Sequence, residues 1–208
     1  MKKKVLIFLT GLFFFFLFVF FSYLAHKDIF TGFDFDTTVR LQDHVSKRFD
    51  DIFSFFSLIG SFEIASIVLL LTLVFIRKLR GIIVLFIFGG MHFLELYGKT
   101  FINHLPPPEF MLRTERLVDL PQFYVRSEFS YPSGHAGRAA FISIIIAIFL
   151  MRSKKLSNTA KLLIIGSIFA YDIIMFASRI YLGEHWTSDV IGGSLLGFAL
   201  GLMSMVFI

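Results

Sequence analysis

The chain has 208 residues, 56% of them apolar and only 17% charged, with 30 phenylalanines, a net charge of +5 and no cysteine. Soluble domains run nearer ~45–50% apolar and ~25% charged, so an ordinary water-soluble fold is excluded. Without cysteine there is neither a disulfide framework nor thiolate chemistry. In so apolar a chain the placement of the positive residues matters more than their sum, so the net charge does not point to nucleic acid.

Six apolar blocks, at about 5–24, 56–76, 82–102, 133–151, 162–178 and 187–208, approach the ~20 residues that cross a bilayer as a helix. They predict an all-α polytopic membrane protein, one domain over residues 1–208 with six transmembrane helices in a single bundle. The first block follows Lys2, Lys3 and Lys4, as a secretory signal would. Its apolar run is long, however, and ends in Ser22-Tyr23-Leu24-Ala25, a poor cleavage site, so it reads as a retained span. Between the first and second spans, Leu41, Val45, Phe49, Ile52, Phe53 and Phe56 recur at helical spacing, with Asp43, Lys47, Asp50 and Asp51 at other positions. This predicts an amphipathic helix lying in the interface, there to brace the bundle or to flank a lipid path.

Three basic clusters follow the same alternation: Lys2 to Lys4, then Arg77, Lys78 and Arg80, then Arg152, Lys154, Lys155 and Lys161. Lys and Arg accumulate in cytoplasmic loops, so both termini are expected in the cytoplasm, in a multi-pass protein of the cell membrane. The opposite ends, expected to face outward, carry the chemically interesting residues.

The third span places His92, Glu95, Lys99 and Asn103 at i, i+3, i+7 and i+11, on one helical face. Ionisable groups at membrane depth are costly and normally face the bundle interior or a water-filled cavity. Glu95 and Lys99, four apart, either neutralise each other or present Lys99 to an anion near the outer end. The segment 105–131 contains Pro106, Pro107, Pro108 and Pro121 and should be irregular.

The fourth span opens with Pro132-Ser133-Gly134-His135. Ser133 fits a helix N-cap, a helix N-terminus binds phosphate readily, and Gly134 lets an anion approach the backbone. His135 is then placed to protonate a leaving oxygen; the plainer reading is a capped helix with an interfacial histidine. The fifth span ends in Ser178-Arg179, and His185 and Asp189 follow, four apart. Arg179 can grip phosphate oxygens with two N–H groups. A carboxylate on one imidazole nitrogen fixes the tautomer and frees the other to attack phosphorus. Thr187 and Ser188 are further candidate donors.

These residues resemble the type 2 phosphatidic acid phosphatase family, in the larger group that includes vanadium haloperoxidases. That family carries K-x6-R-P, P-S-G-H and S-R-x5-H-x3-D. The second pattern matches Pro132 to His135 and the third Ser178 to Asp189, in residues and spacing. The resemblance implies that His185 is a nucleophile forming a phosphohistidine, oriented by Asp189, and that His135 is the general acid and then the base. It implies Lys99, Ser133, Gly134 and Arg179 as phosphate ligands, with no metal and no other cofactor. The first pattern departs: seven residues after Lys99, where arginine belongs, stands Pro106. Arg113, Arg116 and Arg126 in the same loop are candidate replacements, with His104 a weaker one; Arg138 lies one turn into the following helix.

The function expected is metal-independent hydrolysis of a lipid phosphate monoester or terminal pyrophosphate at the outer face, on phosphatidic acid, phosphatidylglycerol phosphate or undecaprenyl diphosphate. The alternatives are a phosphotransferase on the same scaffold and, from a different class, a transporter, which the buried polar residues His92, Glu95 and Asp172 would suit. The expected partners are the lipid substrate and the bilayer, not nucleic acid; oligomeric state is left open.

Overall fold

In the computed structural model, residues 2–76, 81–114, 120 and 128–207 are described. The eight α-helices among them are α1 (Lys2–His26), α2 (Thr31–His44), α3 (Asp50–Ile59), α4 (Phe62–Ile76), α5 (Gly81–Phe101), α6 (Gly134–Arg152), α7 (Asn158–Tyr181) and α8 (Thr187–Ser204). α1, α5, α6, α7 and α8 are each long and apolar enough to cross a membrane, and the bent pair α3–α4 meets the same length and composition when the two are taken together. The all-helical, multi-pass architecture expected from the apolar blocks is present.

α6 and α8 form the centre of the bundle; α1 and α5 pack on α8, and α4 and α7 on α6. Small residues allow this. A side-chain carbon on Gly193 or Gly197 of α8 would collide with the carbonyl oxygen of Ser133 or Gly137 on α6, so the two backbones approach as closely as glycine permits. α1 instead turns Phe13, Phe16 and Phe20 outward, as a lipid-facing helix does. Lys4 Nζ lies 2.8 Å from the Val206 carbonyl oxygen, so the two ends of the chain share one face of the bundle.

Three expectations are corrected. The single interfacial helix expected between the first and second spans is two helices, α2 and α3, separated by an extended Val45 and a short 3-10 turn at Lys47–Phe49. The span expected at 56–76 is broken, with a 51° bend between Lys47–Ile59 and Phe62–Ile76. The cause is local. Gly60 is a weak helix former, and Ser61 starts a new helix by accepting the Ile64 N–H on its hydroxyl at 3.4 Å and the Ala65 N–H on its carbonyl at 2.9 Å. The apolar run hid this dipeptide. The break matters because it releases the Gly60 carbonyl, which accepts a hydrogen bond from Arg138 Nε at 3.0 Å. Asn103 is also corrected: it lies past the end of α5, where its backbone N–H donates to His26 Nδ1, and does not extend the Lys99 face.

Candidate active site

Three backbone links draw the motifs together. The Ser133 N–H donates to the Asp189 carbonyl at 2.9 Å, Phe129 N–H to the Lys99 carbonyl at 3.3 Å, and Ser130 N–H to the His104 carbonyl at 3.0 Å. The starts of α6 and α8 and the end of α5 therefore meet. After α7 the chain turns through Gly183, whose φ of 70° suits glycine, and whose missing side chain makes room for the Met111 carbonyl. The Glu184 and His185 N–H groups both fold back onto the Arg179 carbonyl at 3.2 Å.

The result is a cavity of about 1230 Å³ lined by Lys99, His135, Arg138, Arg179, Glu184 and His185. That exceeds the ~300–1,000 Å³ of ordinary small-molecule pockets. It continues past His92 to Gly89, Phe88 and Leu85 of α5, opposite Phe62 and Glu63 of α4. Lys99 to Leu85 is fourteen residues of helix, roughly 20 Å at ~1.5 Å each.

His185 Nδ1 is 3.3 Å from Asp189 Oδ2, which also accepts the Trp186 N–H at 2.9 Å. The helix begins after His185, so the dyad forms because Asp189 reaches back to the helix start, not by the two residues sharing a face. Burial pushes the His185 imidazole below its ordinary pKa; the Asp189 carboxylate pulls it up, and the Arg179 and Lys99 charges push it further down. A neutral His185 with Nδ1 on a carboxylate leaves Nε2 as a nucleophile. His135 Nδ1 faces Arg138 Nη2 at 3.4 Å, so a guanidinium donor occupies that nitrogen and assigns the ring proton to Nε2.

Arg179 donates to Ser57 Oγ and pairs with Glu184, whose other oxygen accepts the Thr114 hydroxyl. Burial opposes the charged form of Glu184, but Arg179 and the hydrogen bonds hold its pKa below the usual carboxylate range. Glu95 gathers three further partners: Lys99 Nζ at 3.0 Å, His92 Nδ1 at 3.0 Å and Arg138 Nη1 at 3.2 Å. Its carboxylate rests against Gly134 at the start of α6, where a side chain would collide with it. Glu95 thus neutralises Lys99 while both line the cavity.

Lys99, His135, Arg179 and His185 reach the cavity directly. Asp189 stands behind His185. Ser133 occupies the N-cap position but makes no capping bond, and its hydroxyl has no partner among the described residues. Ser188 is committed elsewhere, to Asp34. Of the replacements for the missing arginine, Arg113 lies over the Tyr181 ring at 5.2 Å, outside the cavity lining; Arg116 and Arg126 lie outside the described residues. His104 sits behind Asp189, while Arg138 and Pro106 line the cavity. Asp172, read as transporter-like, accepts the Ser143 hydroxyl at 2.9 Å between α7 and α6, away from the cavity. Among the described residues no three His, Asp or Glu side chains are grouped to hold a metal ion.

Asp34, Ser57, Glu63 and Glu184 were not singled out in the sequence. Glu184 alone left a signal, as an acid inside the third motif beside His185.

Residues 80–208, more than half of the chain, match the family model of the PAP2 superfamily. The chain belongs to the PAP2 superfamily. It is 34% identical over 122 residues to phosphatidylglycerophosphatase B of Bacillus subtilis, covering 58% of this chain and 54% of that protein. It is 33% identical over 108 residues to an undecaprenyl-diphosphatase of Sulfolobus acidocaldarius, covering 52% and 45%. The chain thus spans about half the length of these curated relatives. In fold it is similar to a transmembrane PAP2 type phosphatidylglycerolphosphate phosphatase from Bacillus subtilis, with a TM-score of 0.73 at 23% identity over 94% of this chain and 93% of that one. It is also similar to Aquifex aeolicus LpxE, with a TM-score of 0.62 at 22% identity over 83% and 94%. This PAP2 member keeps the second and third motifs intact and carries proline in the first.

Proposed function

We propose that this protein is an integral membrane lipid phosphatase that hydrolyses a phosphate monoester or terminal pyrophosphate through a phosphohistidine. The observation that carries this reading is the convergence of His135, His185, Lys99 and Arg179 on one cavity, with His185 Nδ1 held by Asp189. The cavity's extension between Phe62, Phe88 and Leu85 suits a substrate whose tail lies in hydrocarbon.

In the first step Lys99, Arg138 and Arg179 draw the phosphate oxygens in. His185 Nε2 attacks phosphorus while the bond to the leaving oxygen breaks, and His135 Nε2–H gives that oxygen its proton. In the second step His135 takes a proton from water as the water oxygen bonds to phosphorus. The P–N bond breaks, its electron pair returns to His185, and phosphate leaves. Fixed positive charges around the transferring group lower the barrier; a single well-aimed donor is worth about 3–4 kcal/mol.

The names of the relatives support phosphatidylglycerol phosphate and undecaprenyl diphosphate as substrates, while phosphatidic acid rests on the motif resemblance alone. An outward-facing site is supported by charge placement. Arg152 ends the helix that carries His135 in its first turn, seventeen residues or roughly 25 Å away at ~1.5 Å per residue, so the site and that basic cluster sit at opposite ends of α6.

The test is free phosphate release by the purified, detergent-solubilised protein in EDTA, with the three lipids offered in parallel. Release of phosphate from at least one lipid is expected. Transfer of the phosphoryl group to another lipid without free phosphate would make the protein a phosphotransferase instead.

A further inference from the structure

His104 lies outside the cavity lining, yet its ring sits between two buried carboxylates. Its Nδ1 is 3.0 Å from Asp189 Oδ1, close enough for an ion pair, although the N–H is turned away from the straight line of a hydrogen bond. On the other side Nε2 is 3.6 Å from Asp34 Oδ2 and 3.4 Å from Ser188 Oγ. Ser188 joins the two by donating its hydroxyl to Asp34 Oδ2 at 2.6 Å and its N–H to Asp34 Oδ1 at 2.8 Å. His104, Asp34 and Asp189 are 4%, 1% and 0% exposed, so water does not screen them. Buried carboxylates need a paired cation or a full set of donors, and the imidazolium form of His104 supplies a charge to both.

Asp189 is therefore divided. One oxygen serves His185 and the Trp186 N–H; the other faces His104. We infer that His104 is a positioning residue of the proposed reaction, a buried imidazolium that fixes the Asp189 carboxylate and keeps His185 neutral. The inference rests on the reading of His185 as nucleophile. A carboxylate facing one imidazole favours protonation of that ring; a second cation on the same carboxylate weakens the pull. His185 thus keeps its attacking lone pair at neutral pH although a carboxylate lies against it.

The surroundings agree. The groups facing His104 are Asp34 from α2, Ser188 and Asp189 from α8, and Ser130 and Tyr131 from the segment before α6. Burial opposes a charged His104, but the Asp189 and Asp34 carboxylates on either side of the ring outweigh it and raise its pKa to about 9. Burial raises the Tyr131 phenol well above its ordinary value, so it stays neutral. Ser130 fixes the backbone by donating N–H and hydroxyl to the His104 carbonyl. His104 stands two residues before Pro106, so the first-motif segment keeps a cation that serves the Asp189–His185 dyad in place of the phosphate. Through Asp34, α2 becomes a support of the nucleophile.

The experiment compares wild type, His104→Ala and His104→Gln in detergent, following kcat, KM and the pH profile of phosphate release, with thermal unfolding as the check on folding. His104→Ala is expected to lower kcat about 10- to 100-fold, as loss of a partner that orients a functional histidine does, with KM within about twofold. With Asp189 serving His185 alone, the acid limb of kcat should move to higher pH, by about half a unit or more. His104→Gln, neutral and of similar size, should move it the same way by less. A folded variant with unchanged kcat and an unmoved acid limb, or one moved to lower pH, overturns the inference. Imidazole nitrogen NMR of the wild type tests the charge without using activity: both His104 nitrogens should be protonated at neutral pH, and a lone pair on either overturns it. Absence of wild-type phosphate release would instead overturn the phosphatase reading.

Discussion

Glu184, the residue before His185, forms an ion pair with Arg179 across the turn that closes α7. A phosphate seeking the guanidinium competes with this carboxylate. Glu184→Gln is therefore expected to tighten inhibition by inorganic phosphate about fivefold, an effect of about 1 kcal/mol. The inhibition constant in a phosphate-release assay checks it, and an unchanged constant means that the carboxylate does not compete.

The Glu95–Arg138 pair is buried, with side-chain exposures of 9% and 4%. Breaking such a pair strands a charge and typically costs about 3–5 kcal/mol, whereas removing both partners costs less. Arg138→Met should lower Tm in detergent clearly, and adding Glu95→Gln should recover part of the loss. If the double variant is the less stable of the two, the pair is not what holds α5 to α6.

Pro106 lines the cavity where the family motif carries arginine. Pro106→Arg should raise kcat/KM about tenfold, part of the ~10²–10³ that one aimed donor supplies. A gain on undecaprenyl diphosphate larger than that on phosphatidic acid would place the added charge beside the second phosphate. No gain on any lipid would mean that Arg138 already fills this role.

His104 gives a stability signature. Its folded pKa, about 9, lies above the ordinary value of 6.5, so its contribution is complete below about 6.5 and is lost as pH rises through about 9. The Tm difference between wild type and His104→Gln should shrink across that window. A difference that stays constant from acid to alkaline pH would contradict a charged His104.

The helices and the two intact motifs were legible because their information is local. Apolar length marks the spans, and Ser178 to Asp189 carries arginine, histidine and carboxylate in twelve consecutive residues. What stayed hidden depends on contacts between distant residues. Asp34 meets Ser188, 154 positions away, and Ser57 meets Arg179, 122 positions away. Nothing around Asp34 separates it from Asp36 or Asp43, which also lie on α2. The bend at Gly60-Ser61 was masked by apolar residues on both sides. His104 reads in the sequence only as a candidate phosphate ligand, since nothing in its neighbourhood reveals that Asp189 turns its second oxygen toward it.

The most direct test of the account is to trap the covalent intermediate. The protein is mixed with lipid carrying radiolabelled phosphate, quenched within the turnover time in alkaline denaturant, and compared with His185→Ala and His135→Ala. Acid-labile, alkali-stable label on the wild type, absent from His185→Ala and retained longer on His135→Ala, is the expected result. Phosphate release by His185→Ala at the wild-type rate, or label surviving in that variant, would contradict the central claim that His185 carries the phosphoryl group.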